Sequence, residues 1–165
     1  MYVFGYGSLM WNPNFNYLEK RDFVLENYKR DFCLKTNYHR GCMKQFGIVL
    51  GLKYSKNDFC KGILYKIDPL EIKSVLNYLD TRELCEDSYL KSFIKQEELT
   101  ILTYIANKNS QMYVNDMTDE DKAKVIKVAR GRSGNNIDYY LNTIKSMRNM
   151  NIKYDLIYNI EKFLK

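Results

Sequence analysis

The sequence predicts an α+β fold built on a mostly antiparallel sheet or barrel, with one internal helix and further helices at the C-terminal end. Three observations support this prediction. Short β-favouring runs occupy most of the first 106 residues, one helical apolar pattern interrupts them after residue 69, and only helical patterns follow residue 118. Strands followed by helices, rather than strands alternating with helices, are typical of α+β proteins.

The length and cysteine content limit the class of protein. At 165 residues the chain can bury a core, and we interpret residues 1–165 as a single domain. No apolar run approaches the roughly 18 residues that a membrane span needs, and the first residues form a patterned strand rather than a secretory signal. The four cysteines are far apart and there is a single histidine. We therefore expect a cytoplasmic protein with reduced thiols, without a zinc site or a membrane partner.

The net charge of +6 and the 15 tyrosines raise the question of nucleic-acid binding. The lysines are scattered along the sequence, however, and no basic cluster reaches the size of a recognised patch. We expect no nucleic-acid partner. A modest positive field favours a small anionic substrate instead.

The first predicted strand, Tyr2–Phe4, leads into a turn in which Gly5 and Gly7 bracket Tyr6. Glycine allows a tight turn and close approach of another group to the backbone. Such a turn is either a simple corner or a concavity of N–H groups that favours anions, and this stretch alone leaves both interpretations open. The third glycine of a dinucleotide fingerprint is missing.

The next segments predict a loop and several strands. Residues 12–22 have the composition of a surface loop, and residues 22–36 contain short β-like runs. Phe46–Tyr54 and Phe59–Ile67 are predicted to pair as a hairpin that turns at Ser55–Asp58.

Pro69 is predicted to open a helix, as proline does at a first helical position. Spacings of three and four residues give this helix one apolar face, formed by Ile72, Val75, Leu76 and Leu79. It is expected to end near Asp80–Glu83. Strands are predicted at Tyr89–Lys95 and Leu99–Ala106.

The last third of the chain is predicted to be helical. Thr118 is the expected N-cap of one helix, with acidic residues in its first turn. Gly131–Gly134 is expected to break it. A second helix presents the apolar side chains Ile137, Tyr140, Leu141, Ile144 and Met147, and a short C-terminal helix presents Ile157, Ile160 and Leu164.

The residue types favour acid–base chemistry, because the chain has one histidine and no metal-ligand spacing. Glu83 is the best candidate. It is predicted to lie in a loop between the helix that starts at Pro69 and the strand at Tyr89, where catalytic groups are often found. A glutamate next to Arg82 at a helix end is also a common surface ion pair, and spacing alone leaves both interpretations open.

Four blocks in order resemble the ChaC-like, glutathione-specific branch of the γ-glutamylcyclotransferase superfamily. They are Phe4–Trp11 (FGYGSLMW), Tyr38–Gly41 (YHRG), Leu79–Glu83 with Tyr89 (LDTRE…Y), and Gly131–Tyr139 (GRSGNNIDY). The resemblance runs from about Tyr2 to residue 149, which is nearly the whole chain.

The resemblance implies a γ-glutamylcyclotransferase-like fold and a lyase that cleaves glutathione, without metal or cofactor. The γ-glutamyl group would cyclise to 5-oxoproline and release cysteinylglycine, with Glu83 as general base and acid. The substrate-binding residues implied by the family are Gly5, Tyr6, Gly7, Ser8, Leu9, Tyr113 and Tyr139.

Some positions depart from the pattern of the branch. Phe32–Lys35 stands where the branch has F-W-Q-G, Ile48 stands where it has an arginine, and Asp138 replaces a glutamate. Two alternatives therefore stay open: a cyclotransferase for other γ-glutamyl amines or amino acids, and a non-enzymatic basic binding module on the same fold.

Overall fold

The computed structural model describes residues 1–165, which contain one five-stranded sheet. The strands are Tyr2–Gly5 (β1), Glu19–Thr36 (β2), Gly47–Lys66 (β3), Tyr89–Gln96 (β4) and Leu99–Ala106 (β5). Their order across the sheet is β2-β3-β1-β5-β4, in which β1 and β5 are parallel and all other neighbours are antiparallel. The predicted α+β fold is confirmed. The sheet is open rather than a closed barrel, because β2 and β4 lie at opposite edges.

Three α-helices and three short 3₁₀ helices complete the fold. The α-helices are Ile72–Glu83 (α1), Asp119–Val128 (α2) and Asn136–Asn149 (α3); the 3₁₀ helices are Ser8–Met10, Pro69–Glu71 and Leu156–Phe163. A small hairpin of Arg130–Gly131 (β6) and Gly134–Asn135 (β7) separates α2 from α3, as the glycines there predicted. The predicted C-terminal helix is present in 3₁₀ form. None of these helices has the length and apolar character that crossing a membrane requires.

The predicted helix starts are confirmed. Pro69 opens a 3₁₀ turn that leads into α1, and the carboxylate of Asp68 accepts the N–H of Leu70 at 2.9 Å. Thr118 caps α2, because its Oγ1 accepts the N–H of Asp121 at 3.1 Å. Both caps satisfy an N–H group that has no partner within the first turn.

The predicted hairpin in the middle of the chain is wrong. Residues 47–66 form one continuous strand, β3, which pairs along its length with β2. Ser55–Asp58 does not reverse the chain but bulges opposite Asn27, and Asn57 donates its N–H to Asn27 Oδ1 at 3.1 Å. Both asparagines have positive φ angles of 61° and 68°. The local signal of a bulge resembles that of a turn, and only the partner strand distinguishes the two.

The predicted loop at residues 12–22 is also partly wrong, because β2 already begins at Glu19. Residues 19–22 are exposed on both faces, so they lack the apolar alternation that marks a strand. The short runs predicted within residues 22–36 belong to this one strand, whose pairing is interrupted by two register shifts.

The helices cover both faces of the sheet. Val3 packs with Val75 and Leu79 of α1, whereas its neighbour Phe4 belongs to the larger core that includes residues of α2 and α3. Successive strand residues point to opposite faces, so α1 lies on one face and the C-terminal helices lie on the other. The chain that leaves β1 therefore lies close to both layers.

A cluster of charged side chains, centred on Asp31, joins β2, β3 and α2. Because Asp31→Asn removes the charge that both lysines bind, we expect it to lower the free energy of unfolding by about 1–3 kcal/mol. The Asp31 carboxylate of β2 accepts from Lys53 of β3 at 2.6 Å and from Lys122 of α2 at 2.9 Å. Burial alone would raise the pKa of Asp31, but the two lysine hydrogen bonds outweigh it and lower the pKa. The stabilisation is thus present at neutral pH and is lost as the pH falls through the lowered folded-state pKa.

Urea unfolding at neutral and acidic pH measures this effect. The control is Glu120→Gln, which removes an exposed pair with Lys124 (3.0 Å) and should change stability by less than about 0.5 kcal/mol. Equal losses in the two variants at neutral pH would show that Asp31 contributes no more than a surface pair.

Candidate active site

A cavity of about 290 Å³ lies beside the segment that follows β1. A recess of about 30 Å³ shares Ser8, Glu83, Tyr89 and Tyr139 with the cavity, so the two are adjoining parts of one site. Most of the site residues expected from the sequence line one or both parts: Tyr6, Gly7, Ser8, Leu9, Glu83 and Tyr139. The fold thus brings the first glycine turn, the end of α1 and the start of α3 together.

Glu83 is the last residue of α1, so its predicted location in a loop beyond the helix is wrong. The apolar pattern stops at Leu79 although the helix continues, because its last two residues, Arg82 and Glu83, line the cavity. The side chain of Glu83 is 17% exposed. Burial raises the pKa of Glu83 above the ordinary 4.5, and the positive charge of Arg82 opposes part of this effect. A carboxyl group with a raised pKa holds a proton more readily than an exposed glutamate does, which suits a group that accepts and returns a proton.

Arg82 connects Glu83 to the loop that follows β1. Its Nε lies 3.2 Å from Glu83 Oε1, and its Nη2 donates to Ser8 Oγ at 2.7 Å. Its Nη1 donates to the carbonyl of Asn12 at 2.9 Å and to the hydroxyl of Tyr78 at 2.8 Å. With 17% of its side chain exposed, Arg82 forms more than a surface ion pair. It fixes the position of the carboxylate relative to the glycine turn.

The two glycines of the first turn allow close approaches. A Cβ atom on Gly5 would lie 2.7 Å from the Cβ of Leu9, and one on Gly7 would lie 3.1 Å from the hydroxyl of Tyr139. The chain continues into the 3₁₀ helix Ser8–Met10 and not into a hairpin. The first N–H groups of such a helix have no intrahelical partner, so they are available to an anionic or carbonyl oxygen.

Four tyrosines line the recess, and the hydroxyl group of only one of them is free to donate to a ligand. Tyr104 donates to Asp80 Oδ1 at 2.7 Å. Tyr6 donates to the carbonyl of Tyr104 at 2.8 Å, and Tyr89 donates to the carbonyl of Leu50 at 2.6 Å. Tyr139 accepts weakly from the N–H of Leu50 at 3.4 Å and donates to no protein group. Burial raises the pKa of Tyr139 well above its ordinary value, so its hydroxyl keeps its proton.

Two residues of the expected binding set lie elsewhere. Tyr113 forms a β-bridge with Leu34, its hydroxyl lies 3.5 Å from Asn115 Oδ1, and it lines neither part of the site. Gly5 also lines neither part. Its position gives it a structural role at the end of β1, and the position of Tyr113 gives no support to substrate binding.

Two of the positions that depart from the family pattern, Ile48 and Phe32, are buried and line neither part of the site. Ile48 is fully buried, and its main chain bonds to the amide of Asn136 at 2.7 and 2.8 Å. Its neighbours Val49 and Leu50 line the cavity and the recess, whereas Ile48 lines neither. Phe32 is fully buried and its ring packs against that of Tyr139 at 6.0 Å.

The hairpin β6–β7 supports the segment 38–41. The N–H groups of Arg132 and Ser133 donate to the carbonyls of Tyr38 and His39, both at 2.9 Å. His39 Nδ1 lies 3.0 Å from Ser133 Oγ, and its Nε2 lies 3.3 Å from the carbonyl of Arg82. Both ring nitrogens of His39 therefore have protein partners, as expected for a loop histidine with a structural role.

Arg30 bonds to the main chain of the glycine turn, although no sequence signal connected the two. It is 2% exposed, and its Nη1 donates to the carbonyl of Tyr6 at 2.7 Å. Its Nε lies 3.2 Å from Asp155 Oδ2. Arg30 thus links the segment before Gly7 to the C-terminal part of the chain.

The whole chain, residues 1–165, matches the sequence model of the family described as ChaC-like protein. The chain belongs to the ChaC-like family. It is similar to the glutathione-specific gamma-glutamylcyclotransferase 1 of Danio rerio, which is 32% identical over 156 residues, covering 90% of this chain and 79% of that protein. The glutathione-specific gamma-glutamylcyclotransferase of Escherichia coli K12 is 26% identical over 173 residues, covering 99% of this chain and 74% of that protein.

Solved structures show the same fold as this ChaC-like chain. A yeast gamma-glutamylcyclotransferase specific to glutathione superimposes with a TM-score of 0.85 at 21% identity, covering 99% of this chain and 96% of that one. At this level of identity the likeness establishes the γ-glutamylcyclotransferase fold, which the sequence predicted.

Proposed function

We propose that this protein cleaves glutathione by cyclising its γ-glutamyl group to 5-oxoproline and releasing cysteinylglycine. The observation that carries the proposal is the position of Glu83, a poorly exposed carboxylate that lines both the cavity and the glycine-lined recess. The full-length match to the ChaC-like family and the names of its relatives support the choice of glutathione.

The reaction needs one group that both takes and gives a proton. The α-amino group of the glutamyl unit is largely protonated at neutral pH and cannot attack the γ-amide carbonyl in that form. Glu83 would accept its proton and then donate one to the departing amine. Its raised pKa suits both steps, because a base that is too weakly basic cannot hold the proton between them.

The remaining residues of the recess would orient the chain and stabilise the charge that develops on the carbonyl oxygen. The N–H groups at the start of the 3₁₀ helix, from Gly7, Ser8 and Leu9, and the hydroxyl of Tyr139 are the available donors. Holding the glutamyl chain in a cyclic conformation adds the benefit of a preoriented intramolecular reaction.

A cytosolic location is proposed as well, because all four cysteines are unpaired.

The proposal predicts that the purified protein releases 5-oxoproline and cysteinylglycine from glutathione in equal amounts. Measuring both products by chromatography tests it. The control substrate is γ-glutamyl-alanine, which retains the γ-glutamyl group but lacks the tripeptide's C-terminal part. Equal or faster turnover of γ-glutamyl-alanine would instead favour a cyclotransferase for other γ-glutamyl compounds. Salt-sensitive RNA binding without any 5-oxoproline would favour a binding module.

A further inference from the structure

One of the two arginines that line the cavity forms no ion pair. Four charged residues line the cavity: Arg40, Arg82, Glu83 and Glu86. Arg82 and Glu83 pair with each other, and Glu86 accepts a hydroxyl at 2.6 Å and a main-chain N–H at 2.8 Å. Arg40 forms no salt bridge, and its guanidinium donates only to the carbonyl of Asn135 at 3.2 Å.

The guanidinium of Arg40 is nevertheless held in a defined place. It lies over the ring of Tyr139, 5.6 Å from its centroid, and it belongs to the segment 38–41 that the β6–β7 hairpin supports. Gly134, with a φ of +105°, leaves room for it, because a Cβ atom there would lie 3.1 Å from Arg40 Nη1. A partly buried cation that is fixed but unpaired is a binding site for an anion.

The position of Arg40 within the site indicates which carboxylate of the substrate it would bind. Arg40 lines the larger cavity but not the recess, where Glu83 meets the glycine turn. If the glutamyl end of glutathione occupies the recess, the rest of the tripeptide extends into the larger cavity and ends in the carboxylate of its glycine. A guanidinium binds a carboxylate through two parallel hydrogen bonds, which gives orientation as well as attraction.

We propose that Arg40 binds the glycine carboxylate of glutathione and thereby selects the tripeptide over shorter γ-glutamyl compounds. The inference rests on the proposed function and assigns a residue to the part of the substrate that is not cyclised.

Comparing Arg40→Gln with the wild type on two substrates tests the proposal. We expect the variant to raise KM for glutathione by about 10–100-fold, as the loss of a hydrogen-bonded charge does, while kcat changes far less. Glutathione with an ethyl ester on its glycine should show a similar rise in KM with the wild type. The variant should not discriminate between acid and ester, and Arg40→Lys should recover part of the affinity.

A matched control and a binding measurement separate the possible failures. Arg148→Gln removes an arginine that lies outside the cavity, in an exposed pair with Glu161, and should leave both KM values unchanged. Calorimetry on Glu83→Gln, with and without Arg40→Gln, gives the Kd of glutathione and of its ethyl ester. These Kd values measure the contact between Arg40 and the glycine carboxylate in the absence of turnover. If glutathione binds but is not cleaved by the wild type, the proposed function fails while the Kd comparison still tests Arg40. If Arg40→Gln weakens acid and ester equally, or weakens neither, Arg40 does not contact the glycine carboxylate.

Discussion

Replacing Glu83 by glutamine is expected to lower kcat for 5-oxoproline release by about 10²–10⁴-fold, the usual contribution of a positioned acid–base group. The change keeps the shape of the side chain and removes only its ability to exchange a proton. Steady-state kinetics with glutathione measures the effect. The control is Glu71→Gln, which alters a carboxylate before the opposite end of the same helix, outside the cavity, and should leave kcat unchanged.

The pH dependence of wild-type activity is a second test of the role of Glu83. Glu83 must be ionised to act as a base, so activity should rise with pH through its raised pKa. The acid limb of kcat/KM should therefore lie above the ordinary glutamate value of 4.5. An acid limb at or below that value, or a Glu83→Gln variant with substantial activity and an unchanged limb, would assign the proton transfer to another group.

The same variant should not be less stable than the wild type at neutral pH. Because burial raises the pKa of Glu83 in the folded state, its ionised form lowers the free energy of unfolding above that pKa. Glutamine removes this cost, while Arg82 keeps its bonds to Ser8 and Asn12. Thermal unfolding of both proteins measures this and shows whether lost activity reflects a lost fold.

Replacing Arg82 by glutamine is expected to lower kcat by about 10²-fold, because a small displacement of a catalytic group has effects of this size. The variant loses the connection between Glu83 and the loop at Ser8 and Asn12. It also loses the positive charge that lowers the pKa of Glu83, so the acid limb should move to still higher pH. The shift in the pH profile distinguishes positioning and electrostatic roles from simple loss of structure.

Arg82→Lys separates the two roles of the arginine. Lysine keeps the charge but cannot reproduce the several directed bonds of the guanidinium. We expect this variant to keep an acid limb close to the wild type and still to lose kcat. The control is Arg148→Gln, which removes an exposed pair with Glu161 (2.8 Å) outside the cavity. It should change neither kcat nor the acid limb of the pH profile. Identical pH profiles for the glutamine and lysine variants would contradict the electrostatic role.

Local signals predicted those parts of the fold in which neighbours in sequence determine the structure. The 3₁₀ turn that Pro69 opens before α1 and the cap of α2 at Thr118 depend on groups within three residues of one another, and both helix starts were predicted correctly. The continuity of β3 through Ser55–Asp58 was not, because it depends on pairing with β2. Polar turn residues have the same local preferences in a bulge as in a hairpin.

The sequence by itself determined the family, the succession of strands followed by helices and, through the resemblance to the family, the choice of Glu83 as the candidate base, because these depend on the identity and order of residues along the chain. Only the tertiary structure decided that Arg82 reaches Ser8, that Tyr113 lies away from the cavity, and that Arg40 stands in its wall without an ion pair. The physical reason is that hydrogen bonds and burial depend on which segments meet in space. Ser8 and Arg82 are separated by 74 positions along the chain, and no periodicity records that contact.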